Sequence, residues 1–340
     1  MKRPTMQDIA RRAGVTKAAV SFALNGRPGV SEPTRRRILA IAEELGWQPS
    51  SAARALSDGR AGSFGLVIDR PAHTLGLEPF FMQLISGIQA ELTSDTTPLL
   101  LTMVEDQAAE TALYRSWWAR RLVDGVFLVD LQVDDARVPV LEALGMPAVV
   151  IGAPRGTGTL PAVWSDEAAG VTTVVTHLAE LGHRRVARVS GPPHLRHTRI
   201  RTEAFGLITA ELGVSGRTLA ADYSGERGAA ATHELLSLPA AERPTAIVYD
   251  NDVMALSGLA TAQGLGLRVP AEVSIVAWDD SALCELVNPP LTALSRDIAA
   301  HGAHAARRLR QAVGGGEVGD LQDSAPTLRL RGSTAAAPRG

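Results

Sequence analysis

Residues 5–26 read TMQDIARRAGVTKAAVSFALNG, and the spacing predicts two short helices joined by a tight turn. Thr5 followed three positions later by Asp8 has the pattern of a capping box, which opens a helix. Ile9, Ala10 and Ala13 form its apolar stripe, and Gly14 ends it. Thr16 then caps a second helix, in which Val20, Ala23 and Leu24 share one face. Two helices meeting at a glycine turn make a helix-turn-helix signal. A third helix follows, with Ser31 as N-cap, Pro33 in the first turn and Gly46 as the stop. Its core side is Ile38, Leu39, Ile41, Ala42 and Leu45. Three helices with one apolar face each can bury one small core. The second helix keeps Lys17, Ala18, Ser21 and Phe22 on its other faces.

The charge distribution suggests what those faces meet. The 340-residue chain carries a net −2, but residues 1–60 hold 11 Lys/Arg against 5 Asp/Glu, a net +6. The other 280 residues hold 23 against 31, a net −8. A basic head on an acidic body points to a polyanion partner for the head. In a helix-turn-helix the second helix enters the DNA major groove, so Lys17, Ala18 and Phe22 are the candidate base readers. Helix N-termini and polar side chains hold phosphates, which selects Thr5, Thr16, Ser21, Asn25, Ser31 and Arg35. Pro49 then breaks the chain. Residues 50–56 could form two helical turns with Ala53 and Leu56 on one face, a length that is marginal in isolation. SDGRAG (57–62) reads as linker.

The remainder alternates apolar strands with amphipathic helices. Strands are expected at 63–69, 98–104, 124–129, 147–152, 185–190, 245–250 and 273–279. Helices are expected at about 80–93, 109–121, 168–181, 199–212, 228–237, 253–264 and 298–313. Such alternation builds parallel sheets with right-handed crossovers. Ligands in open α/β sheets sit beyond the carboxyl ends of strands. That rule selects Asp69, Asp166, Ser190, Asp250, Asn251, Asp279 and Asp280. Neither GxGxxG after the first strand nor GxxxxGK[ST] occurs, which argues against a nucleotide phosphate loop.

Residues 5–59 resemble the headpiece of the lactose-repressor (LacI/GalR) family of bacterial transcription factors. The match lies in TMQDIARRAGVTKAAVSFALNG, VSEPTRRRILAIAEELGWQPSSAARAL and the linker after them, and the likeness continues to about Gly332. It implies an all-α helix-turn-helix headpiece followed by an α/β, periplasmic-binding-protein-like effector domain of two lobes, with parallel sheets and helices on both faces. The implied divisions are residues 1–48 for the headpiece, 49–61 for hinge helix and linker, 62–332 for the body and 333–340 for a tail. The first lobe would take 62–162 and 294–324, the second 163–291 and 326–332. Crossings are expected near 162–165, 290–295 and 323–328. Lys17, Ala18 and Phe22 fall at the family's base-reading positions. Ala53 and Leu56 would lie on a hinge helix, with Leu56 wedged into the minor groove. For the effector, the likeness implies Asp166 in WSDEAAG, Arg201 in RIRTEAFG, Asn251 and Asp252 in DNDVMALSG, Trp278 and Asp279 in VAWDD, and Arg296 in PPLTALSRD. Phe80 and Phe81 are candidates for the cleft wall. An Arg, carboxylates and an aromatic ring suit a sugar, whose hydroxyls bind charged groups.

The expected protein is therefore a homodimeric, cytoplasmic, nucleoid-associated repressor of a near-palindromic operator, answering to a small-molecule effector. No metal, cofactor or catalytic residue is expected. Two other classes fit less well. A solute-binding protein would fit the body but not the basic head, nor an N-terminus without an apolar signal segment. A glycosidase would need paired carboxylates, but Asp279 and Asp280 are strand neighbours that point to opposite faces. His301 with His304, and His194 with His197, have metal-like spacing but no evident third ligand. Cys284 stands alone, so no internal disulfide forms. No apolar run approaches the ~20 residues of a membrane span. Phe22 stands where several family members carry an Arg that grips guanine. A phenyl ring offers only apolar contact, such as to a thymine methyl.

Overall fold

The computed structural model describes residues 4–47, 60–70, 76 and 78–338. Ala53 and Leu56 lie outside the described residues. The chain divides into two compact units, residues 1–61 and 62–340.

In the first unit, α1 (Met6–Ala13), α2 (Lys17–Leu24) and α3 (Glu32–Glu44) pack around Ile9, Val20 and Ile38, each with no exposed surface. Both bonds of the Thr5–Asp8 capping box are present. Gly14 ends α1 at φ 64°, a left-handed geometry that glycine adopts without strain. The Thr16 hydroxyl accepts the Ala19 amide at 3.1 Å. Ser31 precedes α3 but caps no amide; its hydroxyl bonds Thr34 at 2.9 Å. Leu39, expected on the core side, is 45% exposed. It follows the buried Ile38 by one residue, so the helix turns it about 100° away.

In the second unit, twelve strands among the described residues form two six-stranded sheets. The first contains β1 (Phe64–Asp69), β2 (Leu99–Val104), β3 (Gly125–Leu128), β4 (Ala148–Ile151), β5 (Ala162–Trp164) and β11 (Leu321–Gln322). The second contains β6 (Arg185–Ser190), β7 (Ser215–Ala220), β8 (Ala246–Tyr249), β9 (Ser274–Trp278), β10 (Thr292–Ser295) and β12 (Thr327–Arg329). The orders β2-β1-β3-β4-β5 and β7-β6-β8-β9-β10 are the same pattern used twice. Each places a switch point, where ligands bind, between its first and third strands. The helices are α4 (Pro79–Leu92), α5 (Gln107–Ala119), α6 (Arg137–Leu144), α7 (Glu167–Glu180), α8 (Arg196–Glu211), α9 (Gly225–Leu236), α10 (Asp252–Gly264), α11 (Leu283–Leu286) and α12 (Ile298–Val313).

Several elements depart from the sequence expectation. β7 was not expected, because its residues are mostly exposed at a sheet edge and carry no apolar pattern. α6 has Pro139 in its first turn, where a missing amide is tolerated, so it reads as a break. Residues 162–164 and 292–295, expected only as crossings, pair as strands, and the chain changes lobe just after each. Residues 333–337, set apart as a tail, are integrated into the second lobe. Ser333 accepts the Thr292 amide at 2.8 Å and donates to the Ile275 carbonyl at 2.6 Å. The buried His183 ring contacts the Ala335 carbonyl at 3.1 Å.

The two lobes meet at one rim of the gap between them. Gln132 bridges to Leu195, the Arg196 amide donates to the Leu131 carbonyl at 2.8 Å, and the Val133 amide to that of His194 at 2.9 Å. On the first lobe, α12 crosses α4 at two glycines. A Cβ at Gly87 would stand 1.8 Å from the Ala299 carbonyl oxygen, and one at Gly302 would stand 2.3 Å from that of Leu84. Only hydrogen fits there, so the backbones can approach closely. Gly206, on α8, faces open space. We expect Gly87→Ala to destabilise the body by about 1–3 kcal/mol or more, and Gly206→Ala to be neutral or stabilising by up to about 1 kcal/mol. Thermal and denaturant unfolding of the two variants would check this, and equal midpoints would contradict the close crossing.

Candidate functional site

The headpiece presents Lys17 and Ala18 fully on its surface, with Phe22 38% exposed. The Phe22 ring leans on Gly29, where an added Cβ would meet it at 3.2 Å. Phe22 is thus a supported apolar ridge. Among the phosphate candidates, Thr5 and Thr16 cap helices, and Asn25 donates to Ser21 at 3.4 Å. Arg35 folds back, donating to the Arg27 carbonyl at 2.8 Å, and so also braces the turn before α3.

The body has a cavity of about 720 Å³, mouth solvent included, lined by both lobes at the carboxyl ends of their strands. Of the expected effector residues, Phe80, Phe81, Arg201, Asn251, Asp252, Asp279 and Arg296 line it, and Asp166 and Trp278 do not. Asp166 is the N-cap of α7, and its carboxylate turns back to the Ala169 amide at 2.9 Å. Its neighbour Glu167 faces the cavity instead. Trp278 is 1% exposed and packs with Val174 and Leu294 in the core. It serves the cavity from beneath, as the Arg201 guanidinium lies 4.0 Å from its ring centroid, a cation–π distance.

A chain of charge-assisted bonds crosses the floor. Arg201 Nε donates to Glu167 Oε2 at 2.7 Å, Arg296 Nη1 to Glu167 Oε1 at 3.0 Å, and Arg296 Nε to Asp279 Oδ1 at 3.0 Å. The Phe80 ring centroid is 5.3 Å from the Arg296 guanidinium carbon. Burial opposes ionisation of Glu167, but Arg201 and Arg296 outweigh it and hold the carboxyl at about 2. Behind this chain, Arg188 grips Asp250 with two bonds of 2.7 and 2.5 Å. On the first lobe, Arg70 pairs with Asp130 at 2.7 Å and stands between the Phe81 and Tyr223 rings, 5.8 Å from each. His197 bonds the Tyr223 hydroxyl at 2.7 Å. Burial, aided by Arg201, pushes its ring down to about 4, which makes it neutral near pH 7. Asn251 caps α10 through the Met254 amide at 2.8 Å and donates to the Tyr223 carbonyl at 3.0 Å.

Three cavity residues, Asp130, Tyr223 and Asp279, have φ of 50°, 70° and 66°. Left-handed geometry is strained for such residues and gathers at functional sites. The sequence reading missed Arg70, Glu78, Asp130, Glu167, His197 and Tyr223. Arg70 and Asp130 follow β1 and β3 and obey the same strand-end rule as Asp250. Tyr223 follows the unexpected β7. His301 is also on the cavity and is buried. Asp323 bridges the Nδ1 atoms of His301 and His304, a carboxylate that lies about twenty residues away in sequence. The remaining strand-end residues turn elsewhere. Asp280 pairs with Arg331 at 2.6 Å, and Ser190 bonds the Gly191 carbonyl at 3.1 Å.

Comparison with known proteins agrees with both units. Residues 5–50 match the model described as bacterial regulatory proteins, lacI family, and residues 175–334 match the periplasmic binding protein-like domain. The HTH-type transcriptional regulator MalR of Streptomyces coelicolor is 33% identical, over 98% of this chain and 97% of its own. The regulator CelR of Thermobifida fusca is 30% identical, over 92% and 93%. A lac repressor dimer bound to operator and an anti-inducer superposes with a TM-score of 0.87 at 25% identity, over 98% of this chain and 100% of that one. With an intact helix-turn-helix, a two-lobed body and a full-length relative at this identity, the chain belongs to the LacI family and is a DNA-binding transcriptional regulator, not an enzyme.

Proposed function

We propose that the chain is a homodimeric repressor of a near-palindromic operator, and that a sugar bound between the lobes sets its operator affinity. The observation that carries the effector reading is the floor of the cavity, where Arg201, Glu167, Arg296 and Asp279 are joined in one bonded series beside Phe80. Such a floor offers fixed charged partners to hydroxyl groups and an aromatic face to C–H bonds. A related structure is described as a CelR–cellobiose complex, at 28% identity and a TM-score of 0.74, which supports a sugar here. The lac repressor dimer on its operator supports the paired headpieces.

The same series suggests how binding is transmitted. Glu167 lies just past one lobe crossing and Arg296 at another, so a ligand that touches Arg296 acts on both connections. Closure of the lobes would then alter the spacing of the two headpieces, and the coupling must be reciprocal: operator and effector change each other's affinity by one factor.

Two outcomes are expected. Asp279→Asn keeps the side chain's size but removes the charge that holds Arg296, and should weaken sugar binding about tenfold or more. Calorimetric titration with a panel of mono- and disaccharides would check it; unchanged affinity would remove Asp279 from the site, and no binding by any sugar would defeat the sugar reading. In the headpiece, Phe22→Arg should change the preferred base at one position of each half-site, since a guanidinium prefers guanine and a phenyl ring does not. Selection of bound sequences from a random library would reveal the shift. An identical consensus from both proteins would take Phe22 off the reading face.

A further inference from the structure

The cleft has more carboxyl groups than guanidinium groups to pair them. Arg188 closes on Asp250, Arg201 on Glu167, Arg296 on Asp279 and Arg70 on Asp130, at 2.5, 2.7, 3.0 and 2.7 Å. Two cavity carboxyls are less fully met, one on each lobe: Glu78, the N-cap residue of α4, which shares Arg70 with Asp130, and Asp252, the first residue of α10, which has no guanidinium partner among the described residues. Glu78 caps no amide of its helix and reaches Arg70 only at 3.5 Å. Asp252 is 3% exposed. Its Oδ1 accepts the Val253 amide at 2.8 Å; the Ser281 hydroxyl is its one side-chain donor neighbour, and it leaves Oδ2 without a hydrogen bond of ordinary geometry among the described residues. A buried acceptor without a donor is costly, and a ligand donor would relieve it.

Resting on the reading of this cleft as the effector site, we propose that Glu78 and Asp252 form a subsite for a cationic group of the effector, a protonated amine such as that of an amino sugar. Both carboxyls line the one cavity and the charge of Asp252 is felt at Glu78, so an ammonium, with three donors and one positive charge, offers a counter-charge to the two together and a donor to Asp252 Oδ2. A hydroxyl brings one donor and leaves both negative charges buried. A carboxylate or phosphate adds a further negative charge to a cavity in which Arg70, Arg201 and Arg296 each already face a carboxylate. His197, held neutral near pH 7, offers no cation either. Burial pushes Glu78 up to about 7 and Asp252 up to about 6. Both carboxyls thus hold a proton more readily than an ordinary carboxylate, as groups do where negative charge is buried without a full counter-charge.

The test is calorimetric titration of the full chain near pH 7.5 with matched ligands: glucose, glucosamine and glucuronate; the same three forms of galactose; and cellobiose beside the glucosamine disaccharide. The amine should bind about tenfold or more tightly than its neutral counterpart, with the uronate weakest. That advantage should vanish in Asp252→Asn and in Glu78→Gln, each checked for folding by circular dichroism. Should a variant not fold, the series with the unaltered protein decides alone. A neutral sugar that binds as tightly as its amine, or binds while no amine does, overturns the subsite and leaves the sugar reading standing. Failure of every sugar, neutral and amino, overturns both.

Discussion

Glu167 is the group on which the effector half of this molecule turns. Its two oxygens accept from Arg201 on α8 and from Arg296 beside β10, and its own position is just past the crossing from β5 to α7. One carboxylate thus ties a helix of the second lobe to two of the connections between lobes. The arrangement is one in which breaking a partner is far worse than never having had the pair, because removal of one member leaves a buried charge unmet, at about 3–5 kcal/mol. Trp278 adds a flat surface under Arg201 and limits where the guanidinium can go.

The surrounding charges are organised by the same logic. Every arginine of the cleft faces a carboxylate, and the ordered pairs pre-position the floor before any ligand arrives. Pre-positioning lowers the ordering penalty that binding would otherwise carry. The left-handed backbones of Asp130, Tyr223 and Asp279 have the same consequence. Each is held by a neighbour: the Asp130 carbonyl by buried Arg137 at 2.9 Å, the Tyr223 carbonyl by Asn251 at 3.0 Å, and the Asp279 carboxylate by Arg296. The charged groups of the cleft are thus held by neighbours, while the lobes are joined through few connections, an arrangement that would let differences in contact act as differences in closure.

The apolar framework was largely visible in the residues themselves. Val20 with Ala23, Phe64 through Ile68 and Ile275 through Ala277 declare their faces through spacing alone, and all are buried. Edge and punctuated elements were not visible. β7 has no apolar face to reveal it, α6 carries Pro139 in its first turn, and the docking of Ser333 to Ala337 rests on hydroxyl and backbone bonds in a run of small residues with no apolar period. In the cleft, strand-end position picked out Asp250, Asn251 and Asp279, and Asp280 and Ser190 equally, because it names the end of a strand and not the direction of a side chain.

By itself, the sequence determined the order of helices and strands, the division into a basic headpiece and an acidic α/β body, and the short helix that carries Lys17, Ala18 and Phe22. These are properties of local spacing, capping and charge, and they persist however the distant parts meet. Only the tertiary structure decided which polar groups share a cavity. It set Trp278 beneath Arg201 and not at the surface of the cleft, and exchanged Asp166 for Glu167, because an N-cap side chain turns back to its own helix while the next one points away. It also brought Glu78 of one lobe to the same cavity as Asp252 of the other, 174 positions later in the chain. Charge balance in a buried site depends on partners that are far apart in sequence, and so it is a property of the fold and not of any motif.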